Sequence, residues 1–336
     1  MKLNCEQITS AVWGAIDVNE EADGFHFFRF SHAEQEAYRE TKFENKMQGS
    51  AGVEMVFDTD ATAVRLTGYT VSSCSRQYYA FDVFANDCYM GSVKNFEDSN
   101  AQSGYSGGKY PLGEFDGRVS LGAGNKRVRV VFPWSTETVL REIEAENATV
   151  LSPVEAPSKK LVLYGDSITH GFDALHPSGS YAARLTRALG CEGFNKAIGG
   201  ACWHPPLGEA DCGVEADIVT VAYGTNDWNS LKREDFYINC KGFMEGLCRR
   251  MSGAKIFVIT PIWRKDWDEP KRAFGDFYDV EPLMREICAD LPVTVISGDA
   301  LFPHDTDFFG DRKLHPNLRG FEIYFENLLK QMQKFL

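Results

Sequence analysis

Leu161-Val162-Leu163-Tyr164-Gly165-Asp166-Ser167-Ile168-Thr169-His170-Gly171 is the stretch that decides the fold. Leu161 to Tyr164 is a short apolar run of the kind that forms a buried strand. It stops abruptly at Gly-Asp-Ser. A parallel strand that ends this way delivers a side chain to the carboxyl edge of an open sheet, where α/β proteins place their ligands. A serine hydroxyl at that edge can act as a nucleophile if the chain also supplies a base and donors for an oxyanion.

Toward the C-terminus, helix-like and strand-like stretches alternate. Tyr181 to Leu189 has helical spacing and stops at Gly190, a residue suited to a C-cap. Asp217 to Tyr223 reads as a strand, Glu234 to Met251 as a helix and Lys255 to Ile262 as a strand. Val280 to Leu291 reads as a helix, and Val293 to Ser297 as a strand. Pro316 to Phe335 reads as the last helix, with Pro316 at or near its first turn. This alternation predicts βαβ units and a parallel sheet with helices on both faces.

Toward the N-terminus the pattern changes. Residues 152–160, Ser-Pro-Val-Glu-Ala-Pro-Ser-Lys-Lys, have the composition of a linker. Before them come short apolar and aromatic runs split by turn residues: Gly24 to Phe30, Val53 to Phe57, Ala63 to Tyr69, Tyr78 to Phe84 and Arg127 to Phe132. Gly122-Ala123-Gly124-Asn125 reads as a hairpin turn between Val119–Leu121 and Arg127–Val131. Several short strands with regular turns predict an antiparallel β-sandwich. The expected division is therefore a β-sandwich over residues 1–154 and an α/β domain over residues 155–336.

Composition narrows the functional classes. The 336 residues are enough for two cores, and 43% hydrophobic with 25% charged residues is ordinary for a globular chain. The formal net charge of -13, with no Lys/Arg-rich block, argues against nucleic acid or anionic membrane as a partner. No apolar run approaches the roughly 18–20 residues that span a bilayer. Met1 to Gln7 lacks the apolar run of a signal peptide, so the expected location is cytoplasmic. The nine cysteines show no C-x-x-C and no framework spacing, and they are expected to be mostly reduced. Cys202, His204 and Cys212 are too sparse to predict a zinc site, so no metal is expected.

Three loops after strands of the second half carry polar residues where a crevice would form. They are Gly165-Asp166-Ser167, Asn195-Lys196-Ala197-Ile198-Gly199-Gly200 and Tyr223-Gly224-Thr225-Asn226-Asp227. Near the C-terminus comes Asp311-Arg312-Lys313-Leu314-His315-Pro316-Asn317. In this order, over about residues 158–336, the set resembles the SGNH (GDSL) hydrolases, serine esterases built on a flavodoxin-like sheet. The resemblance implies Ser167 as nucleophile and His315 as base. It also implies an oxyanion hole made by the Ser167 and Gly200 backbone N–H groups and the Asn226 side chain, and no cofactor. Sandwich plus hydrolase domain is similar to two-domain carbohydrate esterases with an N-terminal jelly roll.

The residues agree with that reading on their own terms. His315 lies in a turn-rich stretch just ahead of a helix, and a serine needs such a base. A glycine at 200 leaves its backbone open to close approach. One position departs from the family pattern: the aspartate usually sits three residues before the histidine, and here that residue is Arg312. Asp311 reaches His315 if the loop holds a one-residue bulge. Otherwise Asp305, Asp307 or a main-chain carbonyl takes its place, or Ser167 and His315 work as a dyad.

Other candidates have quieter readings. Gly104-Tyr105-Ser106-Gly107-Gly108 fits G-x-S-x-G, but no helix is predicted after it, so a loop is expected. Trp203, Trp228 and Trp263 follow strand-end loops and are candidates for lining an acyl or sugar pocket, with core packing the alternative. His170, His176 and His204 are expected to be surface or substrate-contact residues. Asp166 is expected to brace the Ser167 turn. The expected activity is hydrolysis of small acyl esters, acetyl esters on carbohydrates above all. The alternatives are a lipid-type or aryl esterase, and a carbohydrate-binding protein that has lost catalysis.

Overall fold

The computed structural model describes residues 1–99, 109–269 and 272–336. In the second half, five parallel strands form one sheet: β1 (Lys160–Gly165), β2 (Glu192–Asn195), β3 (Ile218–Ala222), β4 (Lys255–Ile259) and β5 (Val293–Ile296). Their spatial order is β2-β1-β3-β4-β5, which is the flavodoxin-like order. The chain moves outward from β1 in one direction to β2 and in the other to β3. A crevice therefore opens at the carboxyl end of β1, where Ser167 lies.

Strand β1 shows how sequence sets the layers. Side chains alternate across a sheet. Leu161 and Leu163 face the helices Tyr181–Ala188 and Leu318–Met332, packing with Leu185, Phe321, Tyr324 and Leu328. Val162 and Tyr164 face the opposite layer, packing with Phe243, Met244 and Leu247 of the helix Arg233–Arg250. Both faces are buried, which explains why the strand reads as a continuous apolar run. Ser180 caps the first of these helices, and Gly190, at φ +63, follows its end as the sequence implies. The last helix begins at Leu318 with Asn317 as its cap. Pro316 thus lies just outside it rather than in its first turn.

The first half is a sandwich of two antiparallel sheets. One sheet orders Val12–Trp13, Glu54–Thr59, Lys126–Val131, Ala80–Ala85 and Cys88–Lys94, with Leu151–Pro153 also paired to Glu54–Thr59. The other orders Asp17–Glu21, Gly24–Phe28, Thr136–Glu146, Ala63–Ser72 and Gly113–Ser120. Phe57, Val64, Leu66, Phe81, Val128, Val130, Leu140 and Ile143 meet between them. The expected hairpin at Gly122–Asn125 is not one. Gly113–Ser120 and Lys126–Val131 belong to different sheets, and the turn carries the chain across the sandwich. Gly122 and Gly124 supply the left-handed turn that the sequence signals, at φ +75 and +88. All nine cysteines are free thiols.

The two halves share buried polar contacts. Fully buried Arg29 donates to the carbonyls of Gly49, Asn195 and Ala197, and so links the sandwich to the loop after β2. Glu34 and Lys196 form an ion pair at 2.6 Å with neither side chain exposed to solvent. Tyr164 of β1 donates a further hydrogen bond to Glu34 at 3.0 Å. Breaking a buried pair by removing one partner strands the other charge. Lys196→Met should therefore lower unfolding stability by about 3–5 kcal/mol. Adding Glu34→Gln should recover a substantial part. Denaturant titrations of the two variants against wild type measure both effects.

Candidate active site

Ser167 is the first helical residue after β1. Asp166 caps the short helix Ser167–His170 by accepting the Ile168 N–H at 2.9 Å, the bracing role expected of it. A side chain at Gly165 would collide with Thr169, so the tight exit from the strand requires glycine. The Ser167 N–H, at the first helical position, has no acceptor within its helix. The Ser167 Oγ lies 2.8 Å from His315 Nε2.

His315 is held by its own loop. Asp311 Oδ1 accepts the N–H groups of Lys313, Leu314 and His315 at 2.9, 2.8 and 3.1 Å. Its Oδ2 lies 2.6 Å from His315 Nδ1. Arg312 takes φ +60, a left-handed conformation that costs a non-glycine residue energy. This left-handed residue lies in the loop between the aspartate and the histidine. It turns the loop so that a carboxylate four positions before the histidine reaches the ring. Asp307 instead pairs with Arg312, and Asp305 accepts the Asp307 N–H at 2.9 Å. With its proton on Nδ1 toward Asp311, the imidazole presents the Nε2 lone pair to the serine hydroxyl. Burial raises the Asp311 carboxyl. The hydrogen bond and charge of His315 and the backbone N–H groups outweigh it and hold the group below the usual carboxylate range.

The other donors converge on the same edge. Gly200 has φ +84, and a Cβ built there would meet nothing within 4 Å, so it faces open space. The conformation itself demands glycine, and a side chain would project into the opening. Asn226 follows Gly224, whose φ of +116 starts the helix Thr225–Ser230. One Asn226 amide hydrogen goes to Ala201 O at 3.0 Å, and the amide has a second. The loop carrying Gly200 is braced on several sides. Asn195 donates to Thr169 O at 2.9 Å and accepts the Ala197 N–H at 3.0 Å. Lys46 of the sandwich reaches Gly199 O at 3.3 Å.

His170 and the three tryptophans depart from expectation, whereas His176 and His204 are only partly buried. His170 is buried and structural: its Nε2 bonds Trp134 O at 2.8 Å, and its Nδ1 accepts the Gly199 N–H at 3.2 Å. His176 pairs with Asp82 at 2.7 Å, and His204 bonds Ala37 O at 2.7 Å while stacking on Tyr38. Of these partners, Trp134, Asp82, Ala37 and Tyr38 come from the N-terminal half and Gly199 from the loop after β2. The tryptophans fill core space rather than a pocket wall. Trp203 is 2% exposed and packs on Tyr223 and Phe243. Trp228 is 1% exposed and donates to Gly275 O at 3.1 Å. Trp263 is buried and stacked on His304. The Gly104–Gly108 motif lies outside the described residues.

Sequence reasoning missed the sandwich's contribution to the site. Arg76 Nη2 lies 3.3 Å from His315 Nδ1, and the same side chain is paired with Asp173. No local signal marks Arg76, because it is separated from His315 by 239 residues.

Residues 163–323 match the sequence model of the GDSL-like lipase/acylhydrolase family. No curated protein sequence matches the chain. Solved structures share the whole two-domain fold. A putative GDSL-like lipase from Bacteroides ovatus is 17% identical with a TM-score of 0.78, covering 99% of this chain and 97% of its own. A salicylyl-acyltransferase from a tetracycline biosynthetic pathway is 20% identical with a TM-score of 0.75, covering 96% and 94%. An acetyl xylan esterase from the rumen bacterium Butyrivibrio proteoclasticus is 14% identical with a TM-score of 0.62, covering 99% and 98%.

Asp227, next to Asn226, makes stability depend on pH. Its Oδ1 accepts the Trp203 N–H at 2.9 Å, and its Oδ2 is buried with no partner among the described residues. Burial pushes the group up to about 7. A carboxyl raised on folding favours the native state below its ordinary pKa near 4, and that stability is lost as pH rises through 7. Asp227→Asn carries no such loss. Relative to wild type, it should gain on the order of a few kcal/mol between pH 4 and pH 8, measured by denaturant unfolding at both pH values.

Proposed function

Because residues 163–323 belong to the GDSL-like lipase/acylhydrolase family, we propose that the chain is a serine esterase acting on small acyl esters, above all acetyl esters of carbohydrates. The observation that carries this reading is the hydrogen-bonded series from Ser167 Oγ to His315 Nε2 at 2.8 Å and from His315 Nδ1 to Asp311 at 2.6 Å.

In this reading Ser167 Oγ attacks the ester carbonyl carbon as its proton passes to His315 Nε2. Asp311 orients the ring and stabilises the imidazolium that forms. The carbonyl oxygen becomes an oxyanion, for which the Ser167 N–H, the Gly200 N–H and the Asn226 amide are the donors. Collapse breaks the bond to the alcohol, which leaves with the proton from His315. Water then attacks the acyl-serine by the same route and releases the acid. The acetyl and carbohydrate parts of the proposal draw on the two-domain architecture shared with an acetyl xylan esterase. A structurally similar chain is a salicylyl-acyltransferase, so product analysis should include transfer to added alcohols as well as hydrolysis.

The test is an acetyl-release screen on acetylated oligosaccharides, with p-nitrophenyl esters of increasing acyl length alongside. Wild type should release acetate and prefer short acyl groups. Ser167→Ala and His315→Ala should each lose several orders of magnitude in kcat, and Asp311→Ala should lose less than either. Asn226→Ala should cost about 10²–10³-fold. Preference for long acyl chains would move the reading to a lipid-type esterase. Wild-type turnover by Ser167→Ala would remove the mechanism.

A further inference from the structure

Arg76 belongs to the sandwich yet sits beside the imidazole of His315. Its Nε and Nη2 bind the two oxygens of Asp173 at 2.9 and 3.3 Å, and Nη2 also lies 3.3 Å from His315 Nδ1. Its guanidinium lies 4.9 Å from the centre of the Phe172 ring, which in turn packs 5.5 Å from the His315 ring. The Asp173 side chain is 0% exposed and the Arg76 side chain 8%. Asp173 has φ +67 and also accepts from Tyr78 OH at 3.1 Å. Among the described residues, Arg76 and Tyr78 of the sandwich both donate to this carboxylate.

The arrangement puts two carboxylates near one ring. Donor atoms of Asp173, Asp311 and His315 lie within 4.8 Å of one another. The guanidinium of Arg76 already touches two of the three. Among the described residues, the charged groups near the imidazole are Asp311 from its own loop, Asp173 and buried Asp166 from the segment around Ser167, and Arg76 from the sandwich. A buried carboxylate within a few ångströms of a histidine stabilises the imidazolium and competes for its N–H. A guanidinium held on that carboxylate cancels both effects.

We infer that Arg76 is a positioning residue for the base: it neutralises Asp173, so that His315 Nδ1 is directed to Asp311 alone and Nε2 stays free to accept the Ser167 proton. The sandwich thereby completes the hydrolase site instead of serving only as an appended module. This inference rests on the esterase reading for its consequence in catalysis, but its electrostatic part can be measured without turnover.

The experiment follows protonation of the His315 imidazole by NMR, with the pH profile of kcat/KM on p-nitrophenyl acetate alongside, in four full-length proteins. Compared with wild type, Arg76→Met should move protonation and the acid limb to higher pH by about one pH unit. Asp173→Asn, which leaves the arginine uncancelled, should move them to lower pH. The double variant should return close to wild type. If Arg76→Met does not fold, Asp173→Asn keeps the shape of the site and carries the test by itself. Superimposable titrations in wild type and the folded single variants would overturn the inference. A profile that persists in Ser167→Ala would instead overturn the esterase reading and leave the NMR result standing.

Discussion

One hydrogen bond, Ser167 Oγ to His315 Nε2 at 2.8 Å, joins segments 148 residues apart, and the rest of the site is arranged around it. Neither residue is special where it stands in the chain. Ser167 gains its place from a buried strand that stops at a glycine and an aspartate cap. His315 gains its place from a loop that folds on one carboxylate. Asp311 organises that loop through three backbone N–H groups and orients the ring with its other oxygen. A single side chain thus links loop geometry to imidazole geometry, which is how a displaced aspartate still reaches its histidine.

The sandwich is part of this arrangement. Arg29 holds the carbonyls of Asn195 and Ala197, Lys46 holds Gly199 O, and Trp134 O anchors His170, which holds the Gly199 N–H. These contacts, all from the N-terminal half or through His170, hold the peptide units leading to Gly200. Arg76 does the corresponding work at the base. Preorganised donors matter because they need no rearrangement as charge develops, and here much of that preorganisation comes from the N-terminal half.

The parts of the molecule legible in the sequence are those set by local periodicity. The helix Arg233–Arg250 and strand β1 follow from their apolar patterns, and the loops after β1, β2 and β3 follow from their glycines. Strand β2 is only four residues, Glu192–Asn195, too short to stand out. Thr136–Glu146 is rich in glutamate and suggests no strand, yet it pairs across the sheet, with Glu142 and Glu146 meeting Lys2 and Arg118. The Gly122–Asn125 turn shows the right local chemistry but not which sheet each flanking strand joins. The tryptophans mislead because a place after a strand says nothing about the helix that later covers it. Asp311 was legible only as one option among several, because the left-handed turn at Arg312 has no sequence signature outside glycine and asparagine. Arg76 was invisible, since its role exists only once the two halves meet.

The central claim is that this assembly makes Ser167 a nucleophile that carries the acyl group. Rapid quenching of the wild-type protein with an activated acetyl ester, followed by peptide mass spectrometry, tests it most directly. The account predicts a single acetyl group on the peptide containing Ser167, formed within the first turnover and lost on further incubation in water. Ester cleavage with no acyl group ever trapped on Ser167 would contradict it.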